Sequence, residues 1–362
     1  YYQLTKLAVA AQNTEVLRWR ARTSLRDRNW QNLLLDIGLM PERERDSEEW
    51  QYWRGIALLQ GSDPDAGYEA LSRLAGERSY YGFLAADELD RPYALADAAA
   101  RPDEAMIAEL AQREDLVRAR ELFLVGQDGK GRSEWGAATE GLDAVQKLQA
   151  AILASRWGWP SRAIAAAASA GALDHLSLRY PLPYHETFQR YSAEARIPAT
   201  WAYGVARSES LFMRDVRSRA GAVGLMQLMP ATGRQVAKEI RLPYTGLTTL
   251  IDPDSNIRLG TTYLGQMVER FDGNRVLATA AYNAGPHRVD AWLPENESLD
   301  ARIWIENIPF NETRRYVRRV LEAETIFHWR LTGKAQRLSD QFELIRAPDP
   351  GQRVASKTSA GP

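Results

Sequence analysis

Pro198-Ala199-Thr200-Trp201-Ala202-Tyr203-Gly204-Val205-Ala206-Arg207-Ser208-Glu209-Ser210-Leu211-Phe212 is the stretch whose reading decides the fold. A proline opens it, and Trp201, Ala202, Val205, Glu209 and Phe212 recur at spacings of three and four, which sets them on one face of a helix. Glu209 therefore sits on an apolar stripe near a helix C-terminus. There a carboxyl loses hydration and meets the negative end of the helix dipole, and both effects disfavour its charged form. A Glu kept protonated in this way suits a general acid near neutral pH. An interhelical hydrogen bond, or a pair with Arg207 or Arg214, accounts for the same position without chemistry.

Helical patterning continues on both sides. Upstream, Tyr180-Pro181-Leu182-Pro183-Tyr184 forces an extended crossing, because two prolines disfavour helix on either side of Leu182, and this marks the main domain boundary. Before it the pattern predicts helices over 116–124, 135–156 and 161–170, with a loop at 126–133, and Arg101-Pro102-Asp103 opens a further helix. In the first hundred residues, 12–22 and 47–59 place Trp19, Trp50 and Trp53 at helical spacing, and Gly61-Ser62-Asp63-Pro64-Asp65 is a turn. Short amphipathic helices joined by brief turns imply hairpins stacked into a solenoid, with a closed irregular bundle as the alternative. After Glu209 helices resume to about residue 338, with loops at 217–224, 241–249 and 294–299, and the Pro-, Gly- and Ser-containing end is expected to be disordered. Strand signals are almost absent. The expected fold is all-α: an α-superhelix (solenoid) over 1–110, a small helical linker domain over 111–180, a mostly helical catalytic domain over 181–345 and a tail over 346–362.

Composition narrows the chemistry. The 362 residues carry 46 Lys and Arg against 47 Asp and Glu, a net charge of -1 that gives no bias toward nucleic acid. Zero Cys excludes disulfides, thiolate metal sites and thiol nucleophiles. His175, His185, His287 and His328 are scattered without metal-ligand spacing, and neither a nucleophile elbow, a phosphate loop nor a dinucleotide fingerprint occurs. No run of about 18 apolar residues exists to span a membrane. Eleven Trp suit either core packing or stacking on a sugar, with packing favoured, and only Trp292 and Trp304 fall near the motifs described next.

Two further segments place polar groups among small residues. Ala220-Gly221-Ala222-Val223-Gly224-Leu225-Met226-Gln227-Leu228-Met229-Pro230 sets two glycines beside one amide side chain, and Ala280-Ala281-Tyr282-Asn283-Ala284-Gly285-Pro286 ends a helix with Asn, Gly and Pro. Arg314, Arg315, Arg318 and Arg319 make a basic helix face, expected to be solvated and paired with Glu312 and Glu322.

Glu209-Ser210, Gly224-Leu225-Met226-Gln227, Ala281-Tyr282-Asn283-Ala284-Gly285 and Ile305-Glu306-Asn307-Ile308-Pro309-Phe310-Asn311-Glu312-Thr313-Arg314-Arg315-Tyr316-Val317, in that order, resemble the motifs of soluble lytic transglycosylases with a goose-lysozyme-like catalytic domain. Gly76-Glu77-Arg78-Ser79-Tyr80-Tyr81-Gly82-Phe83-Leu84-Ala85-Ala86 is similar to the superhelix of the large soluble type. The resemblance implies non-hydrolytic cleavage of the β-1,4 bond between N-acetylmuramic acid and N-acetylglucosamine in peptidoglycan, leaving 1,6-anhydromuramoyl ends. It makes Glu209 the single catalytic acid and base, with the substrate's acetamido group as internal nucleophile. It gives Ser218, Met226, Gln227, Tyr282, Asn283, Glu306 and Tyr316 contacts with the sugar, against loop-capping for Ser218, helix-capping for Asn283, pairing with Arg314 or Arg315 for Glu306 and a core position for Tyr316. It implies no metal and no cofactor, a periplasmic location, peptidoglycan strands and muropeptides as substrate, and penicillin-binding proteins as partners. Starting at Tyr1-Tyr2-Gln3-Leu4, the chain is similar to a family member cut partway through its superhelix, with the signal peptide removed or outside it. A hydrolytic muramidase, or a non-catalytic helical scaffold that binds glycan or a partner, are the competing readings.

Overall fold

The structure, a computed structural model, describes residues 13–61 and 63–347. Ser62 of the 61–65 turn, the beginning of the 12–22 helix and most of the expected tail lie outside the described residues. Among the described residues every regular element is helical, and the only β-type pairings are the isolated bridges Arg217 with Val223, Val223 with Leu228 and Leu299 with Ile345. No helix among them is long and apolar enough to cross a membrane.

The described residues form two compact units, one built from those within 13–94, 267–325 and 335–347 and the other from 95–266 and 326–334. This division does not follow the sequence boundary near 181. The helices Pro253–Arg270 and Asn311–Thr332 each contribute residues to both units.

In the first unit, Thr14–Arg26, Trp30–Gly38, Glu48–Leu59, Pro64–Leu74 and Tyr80–Glu88 run as successive hairpins. Asn13, Asn29, Asp63 and Ser79 each accept a backbone N–H from the first turn of their helix, which meets the unpaired donors there and fixes where helix begins. Glu48–Leu59 and Pro64–Leu74 cross closely at Gly55 and Gly67, where a Cβ on Gly67 would lie 2.6 Å from the Leu59 nitrogen. Trp50, Tyr52, Trp53, Leu71 and Phe83 form the buried layer beneath. Arg275–Ala284, Pro286–Trp292 and Ala301–Glu306 belong to the same unit.

The second unit holds two cores. Around Trp135 and Trp159, the helices Glu104–Gln112, Glu114–Leu124, Asp128–Thr139, Ala144–Arg156 and Pro160–Ser169 pack Leu116, Ala119, Leu153 and Ala167, and Phe123 stacks on Trp159 at 4.5 Å. Farther along, Phe188, Tyr203, Phe212 and Phe327 interlock, with Phe188 and Tyr203 stacked at 4.3 Å. Tyr203 donates its hydroxyl to the Pro183 carbonyl at 2.8 Å, which ties the non-helical 180–184 crossing to the Glu209 helix.

The expected single helix over 135–156 is in fact two, and the expected loop at 126–133 is mostly helix, Asp128–Thr139. Asp143 opens Ala144–Arg156 with a reciprocal capping box to Gln146, a stronger start signal than the glycines upstream. Of those glycines, Gly131 serves packing: a Cβ there would lie 2.9 Å from the Ala119 carbonyl of the neighbouring helix.

None of the eleven Trp is exposed. Trp304 is in the core and donates its indole N–H to the Trp292 carbonyl at 3.0 Å, while the Trp292 ring packs edge-on against Phe310.

Candidate active site

Glu209 occupies the last turn of the Ala199–Ser210 helix, half-buried behind a run of wholly buried residues from Trp201 to Ala206. The helix stops abruptly. Leu211 and Phe212 both take the left-handed region, at φ 51° and 62°, a conformation costing bulky residues about 1–3 kcal/mol each and kept only where surrounding packing imposes it. Phe212 is held by the Phe188, Tyr203 and Phe327 rings. Ser210, beside the candidate acid, places its hydroxyl 3.1 Å from its own helix at the Ala206 carbonyl and 2.7 Å from the Leu225 carbonyl across the loop.

That loop, residues 216–228, is held by backbone pairing. The Gly224 N–H reaches the Val216 carbonyl at 3.0 Å, and Val223 and Leu228 exchange hydrogen bonds at 3.0 and 3.1 Å. Asn256, wholly buried in the first turn of Pro253–Arg270, accepts from the Met226 N–H at 2.8 Å and donates to the Val223 and Leu250 carbonyls at 3.1 and 2.8 Å. Gly224, at φ 83°, is required here, since a Cβ would fall 2.2 Å from the Leu250 oxygen and 2.4 Å from the Asn256 amide nitrogen. Asn256 was missed from sequence because its partners lie up to 33 residues away.

Two candidates in this loop are committed to its architecture. The Gln227 amide donates to the Val216 and Gly224 carbonyls at 3.0 and 2.9 Å, which leaves its oxygen as the group to offer a ligand. Met226 is not a surface contact: it is wholly buried, and its sulfur packs against Gly260. The exposed methionine of the motif is Met229. Ser218 is exposed and does cap its turn, its oxygen accepting the Ala222 N–H at 3.0 Å.

Asp215, the carboxylate nearest in sequence to Glu209, is paired two-handedly by Arg132 at 2.6 and 2.9 Å. Its neighbour Arg214 reaches Asp128 at 2.9 Å and lies over the Phe123 ring.

Tyr282, Asn283, Glu306 and Tyr316 belong to the other unit. Tyr282 and Asn283 are half-buried at the end of Arg275–Ala284, which terminates at Gly285 with φ 89°. Asn283 does not cap that helix: its oxygen accepts the Thr313 hydroxyl at 2.7 Å. Tyr316 is a core ring.

Glu306 is not at a cleft edge and does not pair with Arg314 or Arg315 through its carboxylate. It is 1% exposed, accepts the Tyr81 hydroxyl at 2.7 Å and faces Arg318 at 3.4 Å. Burial raises its pKa against the pull of Arg318. Arg318 also pairs with Glu49 at 2.9 Å, and Arg22 reaches Glu49 at 2.7 Å. Burial pushes Glu49 upward too, but Arg318 and Arg22 outweigh it and bring its pKa down to about 2. Arg314 is buried and donates to the Ile308 carbonyl at 2.6 Å. The basic face is therefore solvated only at Arg315 and Arg319, while Arg314 and Arg318 turn inward onto carbonyls and acids of their own unit.

Among known families, the transglycosylase SLT domain matches residues 186–305 and the soluble lytic murein transglycosylase L domain matches residues 109–176. The chain is 33% identical over 334 residues to the soluble lytic murein transglycosylase of Escherichia coli, covering 91% of this chain and 51% of that protein. It is 34% identical over 336 residues to the Salmonella typhimurium protein of the same description. Among solved structures it is similar to an inactive glutamate-to-glutamine mutant of the Pseudomonas aeruginosa lytic transglycosylase Slt, with TM-score 0.83, 36% identity and coverage of 92% of this chain and 55% of that one. The 70 kDa soluble lytic transglycosylase of Escherichia coli matches with TM-score 0.84, 30% identity and coverage of 93% and 55%. The chain thus spans about half the length of the relatives it matches.

Proposed function

We propose that this chain, which belongs to the soluble lytic transglycosylase family, cleaves the β-1,4 bond between N-acetylmuramic acid and N-acetylglucosamine in periplasmic peptidoglycan without adding water. Glu209 protonates the glycosidic oxygen as the bond breaks, and the substrate's 2-acetamido group attacks C1. Glu209, now a carboxylate, then takes the proton of the C6 hydroxyl as that oxygen closes the 1,6-anhydro ring. Proton balance needs only one protein carboxyl.

The observation that carries this reading is the state of the other carboxylates. Most glycosidases use two, about 5 to 9.5 Å apart, and substrate assistance is the exception that needs one. Asp215 is held by both guanidinium nitrogens of Arg132, and Glu306 is buried with Tyr81 and Arg318. Both are engaged by other side chains, which disfavours either as a base that activates water. The reading gives Ser218, the Gln227 oxygen, Tyr282 and Asn283 to the glycan, adds the exposed Met229, and leaves Met226, Glu306 and Tyr316 to packing. It keeps 1–110 as superhelix, 111–180 as linker and 181–345 as the lysozyme-like domain, and penicillin-binding proteins as partners to be sought by co-purification.

Mass spectrometry of products from purified cell wall tests it. Anhydromuramoyl ends support the reading, whereas muramic acid ends that borohydride reduces would establish a hydrolytic muramidase instead.

A further inference from the structure

The segment leaving Glu209 is held from two sides. From Val216 onward backbone pairing and an amide hold it: the Val216 carbonyl accepts the Gly224 N–H and the Gln227 amide at 3.0 Å each, and the Ser218 N–H reaches the Ala222 carbonyl at 2.9 Å. Between Val216 and the left-handed pair Leu211 and Phe212, its side-chain fixed points are Arg214 and Asp215. They meet Asp128 and Arg132, which lie four residues apart and so on one face of the Asp128–Thr139 helix. The charge order is crossed: acid then base on the helix, base then acid on the segment.

Both contacts are directional. Arg132 places Nη1 and Nη2 on the two oxygens of Asp215 at 2.6 and 2.9 Å. Arg214 sets Nε at 3.2 Å and Nη2 at 2.9 Å from the buried Asp128 carboxylate, with Nη2 also 3.4 Å from the Phe123 carbonyl. Forked guanidinium pairs fix orientation as well as distance. Asp128 stands in the first turn of its helix, where the dipole favours an anion. The helix is itself seated by Gly131 against Ala119 and Trp159. Three of the four side chains remain 20–34% exposed, so the pairs add little to global stability and much to local geometry.

We propose that the Asp128–Thr139 helix, within the region matched by the L domain, is a positioning element for the reaction: Arg132 and Asp128 clamp Asp215 and Arg214, and thereby fix the segment that runs from Glu209 to Ser218. The clamp rests on the reading of Glu209 as acid and base, and it assigns the helical linker a part in turnover.

The test uses the full chain with Arg132→Ala, Asp215→Asn, Arg132→Lys and the charge swap Arg132→Asp with Asp215→Arg. The single variants Arg132→Ala and Asp215→Asn are expected to lose kcat on glycan strands by about ten- to a hundredfold, the scale of an ångström-sized misplacement. KM and Tm change little, amide hydrogen exchange over residues 213–219 accelerates, Arg132→Lys keeps part of the activity, and the swap regains most of it. Unchanged kcat in the single variants, a loss that merely tracks the unfolded fraction, or a swap no better than its components overturns the clamp. Absence of anhydro ends with the unsubstituted chain would instead defeat the reading of the reaction, and exchange over 213–219 still decides the clamp in that case.

Discussion

The Glu209 region and the Glu306 region carry the two most conspicuous acids of the motif set, and they are built in opposite ways. Around Glu209 the chain stays near the surface, breaks its helix with two strained residues and is held by a buried amide and backbone pairing. Around Glu306 the chain turns inward, and acid, tyrosine and arginine satisfy one another in the buried interior of a single unit. An acid within a recognisable motif is therefore not evidence of chemistry by itself. Exposure is what separates these two acids, Glu209 half-buried and Glu306 wholly buried.

The sharpest test of that contrast is Glu209→Gln, expected to lower kcat by about 10²–10⁴ with Tm unchanged by calorimetry. Full turnover by this variant would remove Glu209 from the mechanism. Next comes the scaffold on the same side. Gly224→Ala is expected to cost roughly 2–4 kcal/mol in denaturant unfolding, because a methyl has no room between Leu250 and Asn256 and φ is positive.

On the other side the effect should appear as stability. Glu49→Gln is expected to cost about 3 kcal/mol at neutral pH, since it takes the carboxylate from Arg22 and leaves Arg318 with Glu306 alone. Because the folded-state pKa of Glu49 is lowered from 4.5 to about 2, its contribution is complete above pH 4.5 and is lost as pH falls toward 2. The Glu49→Gln chain should therefore lose less stability across that window than the unsubstituted one. Glu306 acts with the opposite sign: its raised pKa means that its charging weakens the fold as pH rises past the ordinary carboxylate value. Glu306→Gln should accordingly cost less than Glu49→Gln at neutral pH, about 1 kcal/mol. The contrast breaks if Glu306→Gln abolishes turnover in a chain that melts normally. A comparably small effect is expected from Met226→Leu, a volume-conserving core change worth under about 1.5 kcal/mol, whereas Met229→Ala should act on KM without moving Tm.

What the sequence disclosed follows the range of the interactions. The Ala199–Ser210 helix, the 180–184 crossing and the packing of most Trp were legible because periodicity and proline act locally. The first half of the Asp128–Thr139 helix was hidden, since Gly129 and Gly131 imitate a loop until a neighbouring helix needs the space at Gly131. Glu306 was misread because its hydrogen-bond partner Tyr81 lies 225 residues distant, and no local pattern announces such a partner. The occupation of Asp215 by Arg132 depends on a contact 83 residues away, beyond the reach of any local pattern.

The left-handed turn at Leu211 and Phe212 bears on protein engineering. Selection for heat resistance alone would favour a residue that tolerates such a backbone, and Leu211, less deeply buried than Phe212, is where glycine or asparagine would relieve the strain. A laboratory lineage evolved only for thermostability is thus expected to substitute position 211 early.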